Sequence, residues 1–118
     1  MGKFHKAIEY FELSRKISDE FGDTRAWSDS LANIGNCHAE LKDFSTALRC
    51  YREALNVQRE NDYRHEMAHT LTNLAATHAE MKNTAEAILC YQEAIDLFNE
   101  VGDSTRAQWA HTQLQALA

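Results

Sequence analysis

The sequence predicts an all-α solenoid built from antiparallel helix hairpins, and three observations carry that reading. First, the chain repeats itself. Leu31-Ala32-Asn33-Ile34-Gly35-Asn36-Cys37-His38-Ala39-Glu40-Leu41-Lys42 aligns without a gap on Leu71-Thr72-Asn73-Leu74-Ala75-Ala76-Thr77-His78-Ala79-Glu80-Met81-Lys82, 40 residues on. The register extends downstream, with Ala47, Cys50, Tyr51, Glu53 and Ala54 over Ala87, Cys90, Tyr91, Glu93 and Ala94. It extends upstream as well, with Phe4, Ala7 and Phe11 ahead of Phe44, Ala47 and Tyr51. Second, apolar residues recur at spacings of three and four, the stripe of an amphipathic helix. Third, the chain has no proline, so nothing removes a backbone donor from a helix interior.

Each element follows in order. A first helix is expected over 3–21, with Phe4, Ala7, Ile8 and Phe11 on its apolar face. A second, over 24–41, carries Trp27, Leu31, Ile34, His38 and Leu41, and a third, over 44–61, carries Phe44, Ala47, Leu48, Tyr51, Ala54 and Leu55. The fourth, over 64–81, repeats the second through Met67, Leu71, Leu74, His78 and Met81. The fifth, over 84–101, repeats the third through Ala87, Ile88, Tyr91, Ala94, Ile95 and Phe98, and a sixth is expected over 104–118. Gly22 and Gly102 suit helix C-terminal caps, while Asp23, Asp62 and Asp103 or Ser104 suit the N-caps that follow. Shorter turns are expected at Lys42-Asp43 and Lys82-Asn83. Connections this short make consecutive helices antiparallel neighbours.

Composition narrows the function classes. A net charge of −6 speaks against a nucleic-acid surface, which needs clustered Lys and Arg, and suits a basic or neutral protein partner. No apolar run approaches the roughly 20 residues that span a bilayer. Cys37, Cys50 and Cys90 are odd in number and lack CxxC spacing, which fits reduced thiols in an intracellular protein.

One enzyme motif is present by spelling: His65-Glu66-Met67-Ala68-His69 matches HExxH, which on a helix sets two imidazoles on one face for zinc beside a general-base glutamate. The longer metzincin form fails, because Thr72 and Ala75 stand where Gly and His belong. Glu86 or Glu93 would have to supply a third ligand from the next helix, and Glu93 merely repeats Glu53. His38 and His78 sit on the core face and read as packed or hydrogen-bonded histidines rather than ligands. No phosphate-cradling loop and no nucleophile–base pairing stands out. Catalytic residues, metal ligands and cofactors are therefore none in this reading, with a zinc hydrolase as its remote alternative.

The pattern of a bulky residue, Leu-Gly and Tyr on one helix, then Ala and an aromatic on the next, resembles the tetratricopeptide repeat family. Leu31, Ile34-Gly35, His38, Ala47 and Tyr51 supply it once, and Leu71, Leu74-Ala75, His78, Ala87 and Tyr91 again. The first helix holds only the second half of the pattern, Ala7 and Phe11, and the last only a first half around Trp109 and Leu114. His38 and His78 stand in for Tyr, Ala75 for Gly, and the period of 40 exceeds the family's usual 34 or so. The longer repeat is similar to those of Pins-type adaptors, as are Asn33-Ile34-Gly35-Asn36 and the Glu20 to Asp23 turn; kinesin light chains and ciliary docking proteins have comparable repeats. The resemblance implies a right-handed superhelical solenoid. A single domain over 1–118 would comprise a half repeat 3–21, repeats 24–61 and 64–101, and a half repeat 104–118, within a longer array.

The resemblance also implies that the first helix of each repeat lines a concave surface. Asp29, Ala32, Asn33, Asn36 and Glu40 should face it, then His69, Thr72, Asn73, Ala76 and Glu80, then Trp109, Thr112, Gln113 and Ala116. Asn33, Asn73 and Gln113 place a carboxamide at the same phase three times, and a carboxamide can satisfy both backbone groups of an extended peptide. Asp29, Asn36, His69 and Trp109 complete the candidate groove set. Trp109 equally suits an interface with a further repeat. With Leu114 and Leu117 it would form an apolar end surface able to self-associate.

The function expected is thus a non-catalytic, cytoplasmic scaffold, with cytoskeleton or cilium as its setting, that holds an extended peptide of a protein partner, with no nucleic acid and no membrane insertion. The rival reading is a structural array docking through its ends or outer helices.

Overall fold

The computed structural model describes residues 2–117, and among them six helices. These are α1 (Gly2–Glu20), α2 (Thr24–Glu40), α3 (Phe44–Glu60), α4 (Arg64–Glu80), α5 (Thr84–Glu100) and α6 (Ser104–Gln115). The architecture is all-α, as expected, and within each of its two units consecutive helices pack on one another. Each predicted C-terminus ran one residue too far except the last, where α6 stops at Gln115 and Ala118 lies outside the described residues.

One turn explains the regularity. Each of α1 to α5 is followed by three residues, the middle one in the left-handed region: Gly22 (φ 70°), Lys42 (65°), Asp62 (55°), Lys82 (65°) and Gly102 (78°). The N–H of Lys42 donates to Ala39 O (3.0 Å) and that of Asp43 to His38 O (2.9 Å), and Lys82, Asn83, Gly102 and Asp103 repeat both bonds. That pattern satisfies the last carbonyls of the helix and turns the chain back on itself. The third residue then caps the next helix: Asp23 accepts from Ala26 N (3.0 Å), Asp43 from Thr46 N (3.5 Å) and Asp103 from Arg106 N (3.1 Å). One expected cap is corrected. Asp62 occupies the left-handed position, its carboxylate paired with Arg64 Nε at 3.0 Å, and the cap position falls to Tyr63.

Lysine has a Cβ that makes this backbone region costly by about 1 kcal/mol, where glycine does not. Lys42→Gly and Lys82→Gly are each expected to stabilise the chain by about 0.5–1 kcal/mol, read as the denaturant midpoint at unchanged slope.

The helices form two compact units, Met1–Asn61 and Asp62–Ala118. In the first, α2 packs against both α1 and α3. Its core joins Leu31, Ala32, Ile34, Cys50 and Ala54, with Ile8, Phe11 and Trp27 against it. Gly35 lies against the ring of Tyr51, as the small-against-aromatic pattern requires: a Cβ there would meet Tyr51 Cε1 at 2.8 Å. In the second unit, α5 packs against both α4 and α6. Ala75, Tyr91 and Ala110 form the equivalent cluster, covered by Cys90, Ile95, Leu114 and Leu117. Leu114 and Leu117 are therefore partly buried on their own unit rather than bare end residues. Of the expected apolar end only Trp109 stands out, 48 % exposed.

His38 and His78 tie helix ends to their turns. A ring nitrogen of His38 lies 3.4 Å from Asp43 Oδ2, and that of His78 lies 3.4 Å from Asn83 Nδ2. Cys37, Cys50 and Cys90 are free thiols, and burial pushes Cys37 and Cys50 above the usual thiol range.

Candidate functional site

Residues four apart on a helix share a face, so the start of α4 presents His65, His69, Thr72 and Asn73 together. The Asp103 cap starts α6 beside them, and its first turns bring Thr105, Arg106 and Trp109. Phe98, buried at the end of α5, closes the floor. His69, Thr72, Asn73, Phe98, Thr105, Arg106 and Trp109 line one hollow of about 430 Å³.

The polar contacts at its rim form a chain. His65 Nε2 lies 3.2 Å from Asp103 Oδ2, Asp103 Oδ2 lies 3.5 Å from Arg106 Nε, and Arg106 Nε donates to His69 Nε2 at 3.4 Å. The two imidazoles meet edge to face, 4.7 Å between centroids, and the Phe98 ring lies 5.3 Å from that of His69. The backbone N–H of Arg106, then the His65 ring and the Arg106 charge, hold the Asp103 carboxyl below its usual range. Burial, then the His65 and Arg106 charges, push the His69 imidazole below its ordinary 6.5.

An imidazole kept neutral in the fold binds fewer protons than the same group unfolded. His69 therefore withdraws stability as pH falls below about 6.5. The thermal midpoint should drop between about pH 7 and 5.5, and a His69→Gln variant should show a shallower drop. An equal slope in both would remove His69 as the cause.

The HExxH pair is drawn into this network instead of standing open. A guanidinium, itself a cation, sits on the ring nitrogen of His69 that a metal would need. Among the described residues, no group of three His, Cys, Asp or Glu is placed to hold a metal ion.

The remaining candidates are less gathered. In the first unit Asp29 is exposed and Asn33 half-buried, while in the second Gln113 is half-buried, like Asn73. Asn36 has a partner inside its own hairpin, its Oδ1 accepting from Tyr51 Oη at 2.6 Å. Ala32, expected on the groove face, is buried in the core. Thr72 is buried too, its hydroxyl donating to His69 O at 2.7 Å, yet its surface still borders the hollow. Phe98, Thr105 and Arg106 are lining residues that sequence reading missed. The repeat could have given one of them: α4 and α6 are equivalent helices, and Thr105 stands one period from His65.

Four central helices of 17 residues each, joined by one kind of turn and packed by small residues against aromatics, define a helical-repeat protein. The model of the tetratricopeptide repeat matches residues 1–60 and 25–100, and the chain belongs to that family. Among solved structures, the apo form of RapI is similar, at 25 % identity and a TM-score of 0.77 over 86 % of this chain and 36 % of RapI. BtubC (BKLC) from P. vanneervenii shares the fold at 19 % identity and a TM-score of 0.70, over 98 % of this chain and 57 % of BtubC. The chain thus spans about a third of the one and just over half of the other. A search of curated proteins gives no match. These likenesses reach the family without favouring any of its long-repeat branches.

Proposed function

We propose that this chain is a non-catalytic, cytoplasmic scaffold that binds an extended peptide of a partner protein through α4 and α6 of the second unit, with Asn33 of α2 offering the same carboxamide in the first. One observation carries the reading: His69, Asn73 and Trp109, selected for repeat phase alone, border a single hollow large enough for a side chain. Asn73 offers a donor and an acceptor to the peptide backbone, while Trp109, half exposed, offers an apolar wall. The half-buried amides of Asn33, in the first unit, and Gln113, in the second, repeat the same carboxamide phase. The family supports the class of function, since stacked helical repeats serve chiefly as binding surfaces.

The test is selection from a displayed library of disordered peptides, then titration of the enriched sequence. Asn33→Ala/Asn73→Ala should weaken binding at least about tenfold, roughly 1.4 kcal/mol, with helicity and melting unchanged. A library that yields no enriched peptide, or one bound equally by the double variant, would move the function to the outer surfaces.

A further inference from the structure

α1 packs one face on α2 through Ile8 and Phe11 and leaves another bare. Tyr10, Leu13, Ile17 and Phe21, the last just beyond the helix end, are 66, 58, 47 and 82 % exposed. At 3.6 residues per turn they fall within about 80° of arc, one stripe along the helix and its end. Contiguous apolar surface of this kind marks an interaction site.

The stripe is particular to α1 and not a property of the repeat. One period on, the places of Tyr10, Leu13 and Phe21 are taken by Cys50, Glu53 and Asn61, and Cys50 is buried. α1 is thus larger and more apolar than its own repeat at three positions, and all three are exposed.

Charge along the stripe selects an occupant. Lys3 and Lys6 lie within its arc at the N-terminal end, and Glu20 borders it at the other. Two such helices side by side in parallel would set lysine on lysine and glutamate on glutamate. Antiparallel about an axis at Leu13, Lys6 of one copy comes level with Glu20 of the second, each seven residues from the axis. Tyr10 and Ile17, three and four residues from the axis, then become neighbours across the seam. The antiparallel pair also opposes the helix dipoles favourably. α6 is no match for this face: apart from Trp109, its exposed residues, Gln108, His111, Thr112 and Gln115 among them, are polar. A head-to-tail chain of copies is therefore disfavoured.

We propose that α1 is a homodimerisation helix, on which a second copy of this chain lies antiparallel along Tyr10, Leu13, Ile17 and Phe21, with Lys6 facing Glu20 across a two-fold axis. One helix pair is small for a specific interface, so dissociation falls at about 10 μM. The interface is isologous, closing at two copies.

Sedimentation equilibrium of the whole chain, from about 1 to 300 μM, tests this. The expected mass climbs with concentration from the 13.5 kDa monomer toward twice that value. Leu13→Lys, which sets like charges together at the axis, should hold the chain monomeric throughout, with unchanged helicity because Leu13 touches water. Lys6→Glu and Glu20→Lys should each weaken dimerisation several-fold, and the two together should restore it. A parent that remains monomeric overturns the proposal and leaves the stripe to some other helix. A dimer indifferent to Leu13→Lys overturns it too, and a charge swap that fails to restore pairing overturns the antiparallel register.

Discussion

Tyr51→Ala is expected to destabilise the chain by about 4 kcal/mol, lowering its thermal midpoint by about 15 °C. Tyr51 is 1 % exposed, among the largest fully buried side chains, and its ring fills the space that the missing side chain of Gly35 leaves between α2 and α3. Truncation removes the ring's transfer free energy and leaves a cavity that two stiff helices cannot close. Tyr51→Phe separates ring from hydroxyl. It gives up the 2.6 Å bond to Asn36 and should cost only about 1 kcal/mol. If both variants melted alike, the hydroxyl and not the packing would hold this hairpin together.

Gly35→Ala is the second large effect, and two terms compete. Alanine is better than glycine in a helix by about 1 kcal/mol. Against it, the new methyl carbon would lie 2.8 and 3.0 Å from two ring carbons of Tyr51 and 3.2 Å from Cys50 Cβ. Those distances are too short, and neither neighbour can move freely: the ring is buried and bonded at its tip, and Cys50 is packed in the core. Overpacking of this kind costs about 3 kcal/mol, so the net loss should be about 2 kcal/mol. Ala75→Gly in the second unit is the natural contrast. There the hairpin already accommodates a methyl beside Tyr91, so the change should cost about 2 kcal/mol, through helix propensity and the buried methyl it removes, with no clash involved. Equilibrium denaturation of both variants decides it, and a stabilised Gly35→Ala would mean that α2 and α3 can part.

Asn36 and Asn33 show how far the sequence reaches at the candidate site. Both are amides on the same helix, and phase alone put both in the groove set. Only the packed hairpin reveals that the oxygen of Asn36 is taken by Tyr51, fifteen residues away. Ala76 removes that bond from the next repeat, so periodicity gave no hint of it. The His65–Asp103 and His69–Arg106 contacts were hidden for a related reason. They join side chains 38 and 37 residues apart, and the eye for local motifs saw only HExxH.

Gly22 and Gly102 could be placed in left-handed turns from the sequence, because glycine alone adopts them freely. Lys42, Asp62 and Lys82 take the same conformation without that signal. At Lys42 and Lys82 the hairpin imposes the geometry: bonds from the turn to the preceding helix and burial of the flanking helices outweigh the local strain of a side chain.

By itself the sequence determined what is periodic: the helices, their apolar faces, and membership of a repeat family. These follow from spacing, because residues three, four or 40 apart meet the same surroundings each time they recur. The tertiary structure alone decided what each position touches once it is packed. It turned two histidines of an apparent metal motif toward an arginine and an aspartate. It folded Leu114 and Leu117 back onto their own unit, and it left the bare apolar face on α1. Those outcomes depend on which side chain fills the space across a helix pair, and spacing along a chain carries no record of that.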